Sequence, residues 1–238
     1  MTRKTVHDGR EMWEYGSAGD EYPVTDRDIW QCGKHVLACG DIHVGAWHDL
    51  VERIDRPDIV YTDPPWSAGN EKAFRTKAGL DNSDADFEAL IRSIVRPVSN
   101  CPHLFLQAGD ENVDDVAKWV HEEHAADGHA RWPIKYYDEN PCWLLYSGVF
   151  DEFNAGLGGR DDTETPRLAL QAVTRQSPAK LVADPCTGND GLTAKAAVET
   201  SCRFVGLELH PRRLANVVKW FDENGQTPQR TGEMTASK

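Results

Sequence analysis

Leu181-Val182-Ala183-Asp184-Pro185-Cys186-Thr187-Gly188-Asn189-Asp190-Gly191-Leu192-Thr193-Ala194-Lys195-Ala196-Ala197-Val198 reads in three parts. The apolar opening is a short buried strand, 184–191 is a glycine-containing turn, and Leu192, Ala194, Ala196, Ala197 and Val198 begin a helix. A strand that runs through such a turn into a helix faces main-chain amides and a helix N-terminus toward a ligand at the carboxyl edge of a sheet. The next apolar run ends at Gly206-Leu207-Glu208, which puts an acid 24 residues after Asp184. A ribose-binding carboxylate is expected roughly 20 residues on, so Glu208 is the candidate ribose ligand. Alone the turn is weak, because glycine turns before helices have many uses and Glu208 could be a solvent-facing charge. A dehydrogenase reading is disfavoured, since Gly188 to Gly191 does not supply Gly-x-Gly-x-x-Gly.

Outward from this stretch, apolar runs alternate with helix-length amphipathic segments, the pattern of an α/β fold with a doubly wound, mostly parallel sheet. Seven strands are expected, at 35–40, 58–62, 103–107, 131–137, 142–146, 180–183 and 203–207. Helices are expected over 83–95, with Ser83 as cap, and over 112–123, from Pro166 onward, and over 191–200 and 211–221. With 238 residues the chain fits one domain, 28–224, between an N-terminal extension (1–27) and a polar C-terminal tail (225–238). Both ends lack periodicity and read as loose, although Met12, Trp13 and Tyr15 could dock on the body.

The second informative site is Asp63-Pro64-Pro65-Trp66, where the apolar run Asp58-Ile59-Val60-Tyr61-Thr62 stops. A carboxylate, two stiff carbonyls and an aromatic face meet there. The exocyclic amine of adenine or cytosine is a poor nucleophile because its lone pair is delocalised into the ring, and two acceptors on its hydrogens draw that pair back. Asp63 would take one hydrogen and the Pro64 carbonyl the other, while Trp66 stacks on a base extruded from the duplex. The plain alternative is a turn, with Trp66 in the core.

Composition limits the partners. No apolar stretch approaches the 18 or so residues of a membrane span, and 1–10 is charged, so a cytoplasmic protein without membrane contact is expected. Six scattered cysteines form no Cys-x-x-Cys pair, and His121-Glu122-Glu123-His124 has its histidines three apart where a zinc-protease helix needs four, so no metal is expected. The net charge of −13 opposes nucleic-acid binding, which draws on Lys and Arg. The local remedy is Lys72, Arg75 and Lys77, read as a loop after Trp66.

Taken together, these motifs make the chain similar to the S-adenosylmethionine-dependent amino-methyltransferases of nucleic acids, in the permuted, beta-class-like order that puts the catalytic motif before the cofactor motif. The resemblance covers roughly 28–222. Asp63-Pro64-Pro65-Trp66 matches the family's catalytic motif, Asp184-Pro185 with Gly188 its methionine turn, and Gly206-Leu207-Glu208-Leu209 its acidic strand end. The stretch Trp30-Gln31-Cys32-Gly33-Lys34-His35-Val36-Leu37-Ala38-Cys39-Gly40-Asp41 resembles phage and bacterial adenine methylases. The resemblance implies a Rossmann-like sheet with the 180–183 strand central, Asp41 and Ile42 at the cofactor adenine, and Thr165 at the methionine end. It implies methyl transfer to adenine N6 of double-stranded DNA, since serine often replaces the aspartate in cytosine-N4 enzymes. Cytosine N4, adenine N6 of RNA and a non-catalytic binding subunit are the alternatives. The departure is Asp190, where the family usually has a second glycine; its carboxylate could accept from the cofactor amine or repel the cofactor carboxylate.

Target recognition has little sequence to itself. The loops 67–82 and 148–164 are short, so either a short recognition sequence or a partner, a homodimer mate or another subunit, is expected, with Arg160 beside the 156–159 glycine run facing DNA.

Overall fold

The computed structural model describes residues 4–7, 10–13, 18–136, 140–150 and 156–234. In chain order they form β1 (Lys4–His7), β2 (Arg10–Trp13), α1 (Ala18–Glu21), β3 (Asp28–Cys32), β4 (His35–Cys39), α2 (Ala46–Val51), β5 (Ile59–Thr62), α3 (Ala68–Lys77), α4 (Phe87–Val95), β6 (His103–Gly109), α5 (Val113–Glu123), β7 (Gly128–Tyr136), β8 (Asn140–Gly148), α6 (Thr165–Gln176), β9 (Leu181–Asp184), α7 (Leu192–Glu199), β10 (Arg203–Glu208), α8 (Pro211–Glu223) and β11 (Pro228–Glu233).

β9, buried at all four positions, lies at the middle of a nine-stranded sheet ordered β11-β3-β4-β10-β9-β5-β6-β8-β7. The neighbours from β4 to β6 are parallel, and antiparallel strands extend both edges. A parallel strand covered on both faces needs apolar residues at successive positions, and β4, β5, β6 and β9 are buried throughout. Side chains alternate between two cores. Leu37 and Cys39 of β4 join α6, α7 and α8 on one face, whereas Val36 and Ala38 join α2, α4 and α5 on the other. No described helix is long and apolar enough to cross a membrane.

Three expectations change. The seven-strand count becomes nine, because Asp28–Cys32 pairs with β4 and Pro228–Glu233, inside the expected polar tail, pairs with β3. β11 is an edge strand with five of its six residues exposed, so no buried stripe announces it, whereas β3, next to it in the sheet, alternates buried Asp28, Trp30 and Cys32 with half-buried Ile29 and Gln31. The 83–95 helix starts at Phe87: Asp86 accepts from the Ala89 amide, while the Ser83 amide is held by Asp81 in the preceding turn. The 67–82 stretch is not a loop, since Ser67 caps α3 by accepting from the Asn70 amide. Its inward residues, Glu71 and Arg75, are charged, so the segment lacks the apolar stripe by which helices are recognised. The docking considered for Met12, Trp13 and Tyr15 concerns side chains outside the described residues.

Candidate active site

Along one edge of the sheet, β4, β10, β9 and β5 end in that order, at Cys39, Glu208, Asp184 and Thr62. The segments leaving them line one cleft: Asp41, Ile42 and His43 after β4, Glu208 and Arg213 at β10 and the start of α8, Pro185 and Cys186 after β9, and 63–66 after β5. Such a cleft forms where successive connections leave the sheet to opposite sides, as the two cores require here.

Asp63 is open to the cleft, but walls close on it, and desolvation raises its pKa to about 6, against the opposing effects of the Trp66 hydrogen bond and the Arg213 charge. Trp66 donates its indole N–H to Asp63 Oδ1 at 2.8 Å. The rest of Trp66 is fixed by its neighbours. Asn112 Nδ2 donates to its carbonyl at 2.9 Å, Tyr136 meets its ring edge-on at a 4.7 Å centroid distance, and a Cβ on Gly109 would stand 3.0 Å from its own Cβ. Glycine at 109 is therefore what lets the indole lie against β6.

Glu208, at the end of β10, is buried and accepts from the Gly188 amide at its Oε2 and from the His210 amide at its Oε1, both at 2.9 Å. Arg213 Nη1 stands 3.8 Å from Oε1, and its guanidinium lies 5.0 Å from the Phe74 ring centroid of α3. Gly188 holds a left-handed φ of 73°, and a Cβ there would lie 3.4 Å from Arg213 Nη2. Asp184 lies beneath, accepting from the Cys186 amide at 2.9 Å, and burial pushes its pKa up to about 7 despite help from Thr193, that amide and Thr62. It shapes the turn.

α3 covers the β4 side. Arg75 Nη1 donates to Asp41 Oδ2 at 2.7 Å, with only 4% of the arginine side chain exposed. His43 Nε2 lies 2.6 Å from Glu71 Oε1, and because a carboxylate only accepts, the proton sits on Nε2.

The cleft thus brings together Asp41, Ile42, Asp63, Pro64, Pro65, Trp66, Pro185 and Glu208. Asp184 and Gly188 stand behind that lining. Thr165 does not reach it, being fully buried with its Oγ1 2.6 Å from Tyr61 Oη. Asp190 is exposed, holds the Asn189 amide and is absent from the lining, so its carboxylate does not crowd the cleft. Arg75 also departs from expectation: buried against Asp41, it has no free guanidinium for a phosphate. Lys72, Lys77 and Arg160 are exposed outside the lining. Sequence reading missed His43, Asn70, Glu71, Phe74, Tyr136, Cys186, His210 and Arg213. The signal available for His43, Cys186, His210 and Arg213 was their position within five residues of a marked strand end; Glu71 and Phe74 had none. Of the His121 and His124 pair, His121 faces His129 and His124 is buried on Ser147, so they do not converge on one point.

No family model matches the chain, and no curated protein sequence matches it. Solved structures share its fold. M1.HpyAVI in complex with SAM aligns with a TM-score of 0.54 at 14% identity over 77% of this chain and 98% of that one. The candidate DNA modification methylase TTHA0409 of Thermus thermophilus, complexed with S-adenosyl-L-methionine, gives 0.52 at 16% identity over 79% and 93%. The cytosine-N4-specific PvuII DNA methyltransferase gives 0.53 at 13% identity over 79% and 88%. At these identities the likeness is one of fold.

Proposed function

We propose that this chain transfers a methyl group from S-adenosylmethionine to the exocyclic amine of an extruded base in double-stranded DNA, adenine N6. The observation that carries this reading is that Asp63 and Glu208, at strand ends on either side of β9, line one cleft. Shared fold with proteins solved in complex with S-adenosylmethionine supports the same reading.

The residues present fit the cofactor. Glu208 offers a ribose-binding carboxylate beside Gly188, whose left-handed backbone favours glycine and whose amide Glu208 holds at 2.9 Å. Asp41 and Ile42 would border the adenine, and Pro185 and Cys186 the methionine end. When bound, the cofactor supplies a methyl group on a positively charged sulfur, which an amine displaces directly. The protein's part is to hold and polarise that amine. Ionised Asp63 accepts one of its hydrogens and the Pro64 carbonyl the other, so electron density returns to nitrogen as positive charge develops there. Trp66, with Tyr136 at its edge, offers the stacking face. Fixing both reactants in one cleft removes several kcal/mol of orientational cost, on the order of what intramolecular reactions gain. The cysteines take no chemical part in this scheme.

Outside the cleft, Lys72 and Lys77 on the outer face of α3 and Arg160 are the proposed phosphate contacts in an otherwise acidic chain. Cytosine N4 is the second reading, favoured by the likeness to the PvuII enzyme. Incubating the protein with methyl-labelled S-adenosylmethionine and unmethylated DNA or RNA, then identifying the labelled nucleoside by mass spectrometry, tests the proposal. N6-methyldeoxyadenosine is expected. A product on cytosine or RNA would move the assignment, and unlabelled nucleic acid of every kind would end it.

A further inference from the structure

Glu71 carries a buried acceptor that nothing in the described chain uses. Its side chain is 3% exposed, Oε1 is taken by His43, and Oε2, also buried, has no hydrogen-bond partner among the described residues. Leaving a buried carboxylate oxygen unmet costs about 1–3 kcal/mol or more, so the fold keeps it only if something else satisfies it. Glu71 lines the cleft, where a bound ligand can bring it a donor.

The strand order says which part of a ligand arrives. This step rests on the proposed function. If Glu208 at the end of β10 holds the ribose and the methyl group points toward Asp63 at β5, then the nucleobase lies on the far side of the ribose, over the end of β4. His43 and Asp41 leave that strand end, and Glu71 descends on them from α3. The two oxygens of Asp41 each already have a partner, Oδ1 the His43 amide and Oδ2 the Arg75 guanidinium. We infer that Glu71 Oε2 accepts a hydrogen from the 6-amino group of the cofactor adenine and thereby makes this chain selective for an adenosyl over an inosyl cofactor.

His43 fixes the carboxylate's orientation, so the acceptor is preset. A 6-oxo purine would bring an oxygen against a carboxylate oxygen, with no proton between them. A site built to pair with a donor rejects the analogue that lacks it, here by about tenfold or more.

The test compares binding of S-adenosyl-L-homocysteine and S-inosyl-L-homocysteine by isothermal titration calorimetry, with no turnover involved. The unaltered protein is expected to favour the adenosyl compound at least about tenfold. In Glu71→Gln, the amide oxygen keeps His43 and the amide NH2 takes the place of Oε2, so a donor replaces the acceptor. The preference is expected to collapse to within about threefold, chiefly because the inosyl compound gains, whereas Lys72→Gln, on the same helix but exposed outside the cleft, is expected to keep the preference. An unchanged preference in Glu71→Gln, or an equal collapse in Lys72→Gln, would overturn the inference. Should Glu71→Gln fail to fold, Glu71→Asp retains the charge but withdraws the oxygen by one methylene. It should weaken the adenosyl compound about tenfold without helping the inosyl one, and unchanged affinities would count against the assignment. If the unaltered protein bound neither compound, the proposed function itself would fall, an outcome distinct from binding without selectivity.

Discussion

Trp66 donates its indole N–H to Asp63 Oδ1 at 2.8 Å, so the side chain proposed to stack on the base also caps the acceptor that the base amine needs. A substrate amine has to displace that contact or share the carboxylate with it. Trp66→Phe keeps an aromatic face and removes the donor. It is expected to retain methyl transfer within about tenfold. Trp66→Ala removes the face itself, which is worth about 1–3 kcal/mol, so duplex affinity should weaken roughly 5- to 150-fold in fluorescence anisotropy. Equal affinity for all three proteins would make Trp66 a structural residue only.

Asp63 predicts the acid limb of activity. Its pKa is raised to about 6, chiefly by desolvation, so the ionised form that accepts an N–H predominates above that pH and is lost below it. The rate of methyl transfer should therefore fall as pH drops through about 6, approaching tenfold per unit. Because the Trp66 hydrogen bond lowers this pKa, Trp66→Phe should move the limb to higher pH. Asp63→Asn should lose roughly 10²- to 10³-fold in rate and lack the limb altogether. A limb that persists in Asp63→Asn would reassign it, with Asp162 and Asp184, both raised to about 7, next in line.

What the sequence shows of this architecture follows from where apolar residues are obligatory. β4, β5, β9 and β10 lie in the parallel core and must be apolar on both faces, so those strands and the acids at their ends, Asp63 and Glu208, stand out against polar flanks. α3 does not. It buries Glu71 and Arg75, whose partners Asp41 and His43 lie some 30 residues away, and pairing across such a distance leaves no local periodicity. β11 was hidden for a related reason: five of its six residues are exposed, and it is held by backbone pairing with β3.

Arg75 and the lysines of α3 should separate cleanly. Arg75 is buried in an ion pair with Asp41 and donates its Nε to the Asp81 carbonyl, so Arg75→Ala leaves Asp41 without its cation and unlatches α3. A loss of about 3 kcal/mol in urea unfolding is expected, with no change in the salt dependence of DNA binding by the folded fraction. Lys72→Gln and Lys77→Gln should do the reverse, keeping stability and lowering the slope of log affinity against log salt by about 1 each. Slopes unchanged by either lysine substitution would take α3 out of the DNA-facing surface.

The C-terminal strand gives the last prediction, because it links the sheet edge to the side of the cleft proposed to hold the cofactor. Arg230 donates to Asp28, which is fully buried, and Met234 packs so closely on Gly40 that a Cβ there would stand 2.6 Å from its Cε. Gly40 in turn donates its amide to the Glu208 carbonyl at 3.0 Å and immediately precedes Asp41. Met234→Ala opens a cavity beneath this turn and should destabilise the protein by about 2–3 kcal/mol, read as a lower urea midpoint. Since Gly40 joins the β4 and β10 strand ends, the same substitution should also weaken S-adenosyl-L-homocysteine binding, while duplex DNA affinity through the outer face of α3 stays put. Removing residues 226–238 should have the larger effect on both stability and cofactor affinity, as Asp28 then loses Arg230 as well. If both variants lose stability but bind S-adenosyl-L-homocysteine as the full chain does, the strand serves the fold alone.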